Sequence, residues 1–325
     1  MKKFINEPNN VVTEMLMGLA KSSPLLKYSG EDTQVIYRAE KKKDKVGIVS
    51  GGGSGHEPAH AGYVGYGMLD AAVSGNVFAS DRILEGIRQA DSGKGVLLII
   101  KNYSGDIMNF EMASTLAEME NIKVASVVVK DDVAVPDSTY STGRRGIAGT
   151  IFVHKCAGAA AESGKSLEEV QAIAQKTIDN IRTIGVAMTP CILPGVGKPG
   201  FTLNENEIEI GMGIHGEPGI NREEITSAEV LAEKLIGKLF DDYDYHNSEV
   251  AVMVNGLGGT PAMELYIMYN EVEKILSANN IKIYKSYVGN YLTSLEMAGC
   301  SITLLKLDDE LKTLLDHPVD VPAFK

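Results

Sequence analysis

The sequence predicts an α/β protein of two α/β domains with mainly parallel strands, and three observations lead there. Short apolar runs such as Val46–Ser50, Gly95–Ile100 and Val250–Val254 end abruptly in glycine-rich or polar loops. Helix-period segments lie between those runs, the alternation that builds βαβ units. The length, 325 residues, suits two domains at the usual size of roughly 100–200 residues each. Residues 1–185 are expected to form an N-terminal α/β domain carrying the Gly51–Pro58 and Lys101–Asp106 loops. Residues 186–325 are expected to form a C-terminal α/β domain carrying the Gly211–Gly219 loop, with a breaker cluster at Thr189–Gly195 near the junction.

In order, Val11–Leu19 has helical spacing and Val46–Ser50 reads as a buried strand. Asp81–Ala90 reads as a helix with Ser80 as its N-cap, because a serine hydroxyl can accept from an unpaired first-turn N–H. Gly95–Ile100 and Lys123–Val129 read as strands flanking a helix over Asn109–Glu120. Gly146–Ser163 is alanine-rich and is expected to be a close-packed helix; Leu167–Ile184 is another, capped by Ser166. Short β-like pieces, Phe201–Leu203 and Glu207–Gly211, lead into the second glycine loop. Helices are expected over Ser227–Phe240, Pro261–Leu276 and Asp308–Asp316, with strands at Val250–Val254, Ile281–Tyr284 and Ile302–Leu307.

Composition narrows the class. The formal net charge is -12, which argues against nucleic-acid or anionic-membrane binding through bulk charge. No apolar stretch of membrane-spanning length and no signal peptide is visible, so the expectation is a cytoplasmic protein. Cys156, Cys191 and Cys300 are too widely spaced for a metal motif and are read as buried free thiols.

Chemistry concentrates in three loops. Gly51-Gly52-Gly53-Ser54-Gly55-His56-Glu57-Pro58 follows a strand. Lys101-Asn102-Tyr103-Ser104-Gly105-Asp106 follows another. Gly211-Met212-Gly213-Ile214-His215-Gly216-Glu217-Pro218-Gly219 sets one histidine among four glycines. Glycines let backbone approach a ligand, and an imidazole so displayed can bind metal, act as a base or attack a carbonyl. The bland reading is a glycine-rich turn whose histidine caps a neighbour. The histidines lack the i, i+4 helical spacing of a metal site, so no metal is assigned, and a hydrolase using metal on His56, Asp106 and His215 ranks last. No phosphate-loop or dinucleotide fingerprint appears, so a kinase would need its nucleotide on a partner. His60, His154, His246 and His317 are read as helix-face or surface residues, and Asp241–Asp244 as a solvated acidic run.

Together, Gly-Gly-Gly-Ser-Gly-His-Glu-Pro, Lys-Asn-Tyr-Ser-Gly-Asp, Gly-Arg-Arg-Gly-Ile-Ala-Gly (143–149) and Gly-Ile-His-Gly-Glu-Pro-Gly resemble the dihydroxyacetone kinase family, in particular its substrate-binding subunit. The resemblance continues through Asn255–Pro261 and Gly289–Gly299. It implies that His215 adds covalently to the ketone, giving a hemiaminal. Asp106 then takes the proton of the attacking hydroxyl, His56 hydrogen-bonds the substrate, and Gly53, Ser54, Gly55 and Lys101 line the pocket. It also implies a homodimer, a pocket near the domain contact, and ADP or ATP with Mg on a separate nucleotide-binding subunit. That subunit is served by a phosphotransferase-system phosphoryl donor. The chain's extent fits that split system, because single-chain versions add a nucleotide-binding domain. One departure stands out: the family's Ser-Pro-Thr-Pro-Asp turn is replaced by Val77-Phe78-Ala79-Ser80-Asp81, without the Pro-Thr-Pro triplet. Paralogues that bind dihydroxyacetone yet act as coactivators of a transcription regulator keep a second reading open.

Overall fold

The computed structural model describes residues 2–75, 79–135, 143–214 and 216–324. The first half contains α1 (Val11–Ser22), β1 (Leu26–Tyr28), β2 (Val35–Arg38), β3 (Gly47–Gly53), β4 (Ala71–Gly75), α2 (Ser80–Ala90), β5 (Val96–Lys101), α3 (Ser104–Met119) and β6 (Val124–Val129). Two helices follow, α4 (Thr150–Glu162) and α5 (Leu167–Asp179). The second half contains β7 (Ile181–Ala187), β8 (Glu207–Ile210), β9 (Asn221–Glu224), α6 (Ala228–Asp242), β10 (Glu249–Gly256), α7 (Ala262–Ala278), β11 (Lys282–Gly289), β12 (Gly299–Leu307) and α8 (Asp309–Asp316).

These strands form two six-stranded sheets, ordered β1-β2-β4-β3-β5-β6 and β11-β10-β12-β7-β8-β9. The α/β class holds, but the expectation of mainly parallel strands needs correction. In the first sheet β4, β3, β5 and β6 are parallel. In the second, only β10 and β11 are; β10–β12, β12–β7, β7–β8 and β8–β9 are antiparallel. The connections explain this. A parallel neighbour needs a crossover, which α7 supplies between β10 and β11, whereas β7–β8, β8–β9 and β11–β12 are joined by loops without helices.

Side-chain alternation in the buried strands feeds two cores at once. On one face of the first sheet Val49, Val73 and Leu98 pack with Ile83 and Ile87 of α2 and Phe110 and Ala113 of α3. On the other face Ile48, Ala72, Leu97 and Ile99 join a larger core with α4 and α5. That core also takes Ala251, Met253 and Leu305 from the second sheet and Leu311, Leu314 and Leu315 from α8, so α4 lies between the two sheets. Every residue of α4 is buried, which its run of small side chains permits. The far face of the second sheet is covered by α6 and α7 through Leu235, Leu239, Leu265 and Val272. Lys155, buried in this middle layer, donates to the carbonyls of Leu314 (2.6 Å) and His317 (2.8 Å) at the C-terminal end of α8. Burial lowers its pKa to about 8.

Local differences have local causes. Ser166 caps α5 with a full capping box, as read, but the helix ends at Asp179 and Ile181–Ala187 is a strand of the second sheet. The β-branched and apolar alternation there loses its helical identity once Asn180 interrupts it. Ser80 lies inside α2; the N-cap is Ala79, with no side-chain capping bond. The helix expected from Asn109 begins at Ser104, which puts Asp106 in its first turn. The acidic run is not merely solvated: Asp242 closes α6 and pairs with both Arg144 and Arg182. The three cysteines are buried and free. Among the described residues no helix is long and apolar enough to cross a membrane.

Candidate functional site

The parallel strands β3 and β5 lie side by side and end together, so the two loops that follow them open at the same edge of the first sheet. β3 runs into Gly53–Glu57, and β5 runs through Lys101 into α3. Lys101 is 1% exposed, and its Nζ would lie 3.2 Å from a Cβ on Gly52, with Asp106 Oδ2 3.7 Å from the same point. Ammonium and carboxylate therefore converge on a glycine that leaves room for them. Burial lowers the Lys101 pKa, while the charges of Asp106, Glu217 and Asp131 oppose that shift. Asp106 occupies the first turn of α3, where the helix dipole favours a carboxylate.

The second half supplies the other wall. Leu295 N donates to Gly55 O (2.8 Å), Thr293 N to His56 O (3.2 Å), and Thr293 Oγ1 to Glu57 O (2.8 Å). The buried His56 ring lies with Nδ1 2.8 Å from the Thr293 carbonyl oxygen. A carbonyl can only accept, so Nδ1 carries the hydrogen, and in the neutral ring Nε2 carries the lone pair. Ser54 Oγ is buried without a hydrogen-bond partner among the described residues. Gly53, Ser54 and Gly55 also border an open-sided cavity of about 430 Å³, lined as well by Val12 and Met15 of α1 and by Leu193–Val196.

His215 lies outside the described residues, as do Val77 and Phe78 of the shortened turn. The described part of the His215 loop carries two bonds within the turn: Gly213 N donates to Glu217 O (3.1 Å) and Gly216 N to Gly213 O (3.2 Å). Glu217 is buried and close enough to Lys101 and Tyr103 to act on both electrostatically. The described residues thus bring Gly52–Gly55, His56, Lys101 and Asp106 to one edge, with Glu217 reaching them from the second half. None of their groups of His, Cys, Asp and Glu is arranged to hold a metal ion.

Two features received no site role from the sequence. His60 and His154 are not surface residues: both are buried, with ring centroids 5.1 Å apart. Burial lowers the His154 pKa to about 3. Burial also takes His60 well below the ordinary imidazole range, reinforced by His154, Lys101 and His56. Neither histidine stands in a local pattern that signals burial; only the packing of α4 under β3 creates it. The second feature is the Gly143–Gly149 segment. Asn102 Nδ2 donates to Arg144 O (2.7 Å), and Gly146 packs on the backbone of Lys101 and Asn102. Ile147 N and Gly149 N donate to the Asp131 carboxylate (2.7 and 2.8 Å). Two of the three glycines in that motif, Gly146 and Gly149, mark close approach of neighbouring chain, a signal the sequence did carry.

The two sheets and the polar strand-end loops that meet between them define an α/β protein whose buried polar site draws on both halves of the chain. A family model described as the Dak1 domain matches residues 17–323, and the chain belongs to that family. It is 54% identical over 329 residues to the PTS-dependent dihydroxyacetone kinase 1, dihydroxyacetone-binding subunit DhaK, of Listeria innocua, with 100% of each chain covered. It is 42% identical over 313 residues to the DhaKLM operon coactivator DhaQ of Lactococcus lactis, covering 94% of this chain and 95% of that one. Among solved structures it resembles a dihydroxyacetone kinase operon co-activator, Dha-DhaQ, with a TM-score of 0.91 and 40% identity over 98% of each chain.

Proposed function

We propose that this chain is the dihydroxyacetone-binding subunit of a phosphotransferase-dependent dihydroxyacetone kinase, active with a separate nucleotide-binding subunit. The observation that carries this reading is the convergence of Lys101 and Asp106 on Gly52 beside the loop of His56, in a chain 54% identical to such a subunit. A ring nitrogen of His215 adds to the ketone carbon. The C–N bond forms as the C=O π bond breaks, and the oxygen gains the proton that the imidazole gives up at its other nitrogen. Glycerol has no electrophilic carbon and is refused on chemistry rather than size, which a pocket discriminates poorly. Asp106 takes the proton of the free terminal hydroxyl as its oxygen attacks the terminal phosphorus of ATP, and ADP leaves on the partner. Lys101 supports the carboxylate and the gathering negative charge, and His56 orients the substrate. Anchoring one end of a small triose while a base addresses the other is the positioning that phosphoryl transfer requires.

The nucleotide and its Mg belong to the partner, which a phosphotransferase-system protein recharges, and the working form is a homodimer in the cytoplasm. The division into two domains, residues 1–185 and 186–325, is part of this reading; β7, which spans that boundary, pairs with β12 of the second sheet. The second reading, a ketone-sensing coactivator of a transcription regulator, is favoured by the likeness to DhaQ and by the shortened turn at 77–81. The test is to mix the chain with dihydroxyacetone and a nucleotide-loaded partner subunit and assay dihydroxyacetone phosphate. Turnover that disappears in His215→Ala and Asp106→Asn supports the kinase. Ketone capture without turnover in the wild type would replace it with the sensor.

A further inference from the structure

The Gly143–Gly149 motif contains a fully buried arginine that the chemistry above does not use. Arg145 Nε donates to Asp132 Oδ2 (2.8 Å), and Nη2 donates to the carbonyl of Gly211 (2.6 Å), the first residue of the His215 loop. Its remaining nitrogen, Nη1, is buried without a hydrogen-bond partner among the described residues. A Cβ built on Gly213 would collide with both Nη1 and Glu217 Oε2, so the guanidinium and the carboxylate face each other across that glycine. Arg145 is therefore a rigid fork with one prong on the carboxylate that follows β6, one on the start of the loop and one turned inward. The same segment fixes Lys101 through Gly146 and Asn102, so a single stretch of chain references both walls of the site to one another.

We propose that Arg145 is a positioning residue that sets the placement of loop 211–219, and with it the capture of the ketone by His215. The second clause rests on the function proposed above; the first does not. A lysine can neutralise Asp132, but it has no planar fork with which to hold Gly211 O at the same time. Charge neutralisation and positioning are therefore separable.

The experiment compares wild type, Arg145→Lys and Arg145→Gln by three readouts. These are thermal unfolding, amide hydrogen exchange over 211–219, and the fraction of ¹³C-labelled dihydroxyacetone bound as adduct, read by NMR. Arg145→Lys should unfold close to wild type yet exchange faster in 211–219 and need about 10- to 100-fold more ketone for the same adduct, the usual scale of a misplaced reacting group. Should Arg145→Gln fail to fold, Arg145→Lys alone carries the comparison. Wild-type exchange and wild-type adduct in Arg145→Lys would overturn the proposal, leaving the arginine a mere partner for Asp132. If wild type forms no adduct while the variant loop exchanges faster, the His215 chemistry fails and the positioning of the loop by Arg145 stands.

Discussion

Replacing His154 by phenylalanine should flatten the acid sensitivity of the fold. Both ring nitrogens of His154 are buried without partners among the described residues, and its pKa falls to about 3 through burial, with Lys101 adding to the shift. The unfolded chain has an ordinary histidine pKa of about 6.5. Below that value the unfolded state binds a proton that the folded state refuses, so stability drops as pH falls from about 6.5 towards 3. At pH 5 this single group costs about 2 kcal/mol relative to pH 8 by linkage. His60 works in the same direction, whereas Asp132, raised to about 6 by burial against the pull of Arg145, works in the opposite one. The difference between wild type and His154→Phe cancels Asp132 and the burial part of the His60 shift, leaving His154 and the part of the His60 shift that His154 supplies. Urea unfolding of both proteins at pH 8 and pH 5 measures it. The variant should lose about 2 kcal/mol less stability over that interval. Equal losses in the two proteins would show that His154 is protonated or hydrated in the fold and would sink the reasoning.

Asp106→Asn should still capture dihydroxyacetone, seen as an unchanged NMR adduct, while turnover with the partner falls about 10²- to 10⁴-fold, the usual yield of a general base; near-normal turnover would assign the base elsewhere. Gly213→Ala places a methyl group against Glu217 and Arg145 and should weaken ketone capture about 100-fold. Calorimetric titration with the ketone reads that loss directly, and unchanged affinity would mean the loop tolerates the shift. Ser166→Ala removes the capping box of α5 and should cost about 1 kcal/mol in urea unfolding with turnover untouched. A change in turnover there would reveal coupling between α5 and the site.

Elements with a strong local signature were legible in the sequence. Ser166 and Glu169 stand three residues apart before an amphipathic run, and the cap forms within that turn. Val96–Ile100 is a continuous apolar run, the pattern of a strand buried on both faces. The short strands β1, β2, β4 and β9 were not read, because three to five residues carry too little periodicity and the sheet supplies their pairing. Strand direction in the second sheet was also misjudged, since it depends on which loops cross over rather than on any residue's preference.

By itself, the sequence determined the α/β class, the strand-end loops and the residue types with chemistry in them, because glycine, histidine and carboxylate spacing is local information. Only the tertiary structure decided that Thr293 and Leu295 clamp the His56 loop, that Arg145 ties the Gly211 loop to Asp132, and that His60 and His154 are buried together. Each of these joins residues far apart in the chain, and each depends on desolvation and close approach, which exist only once the two sheets have packed around α4.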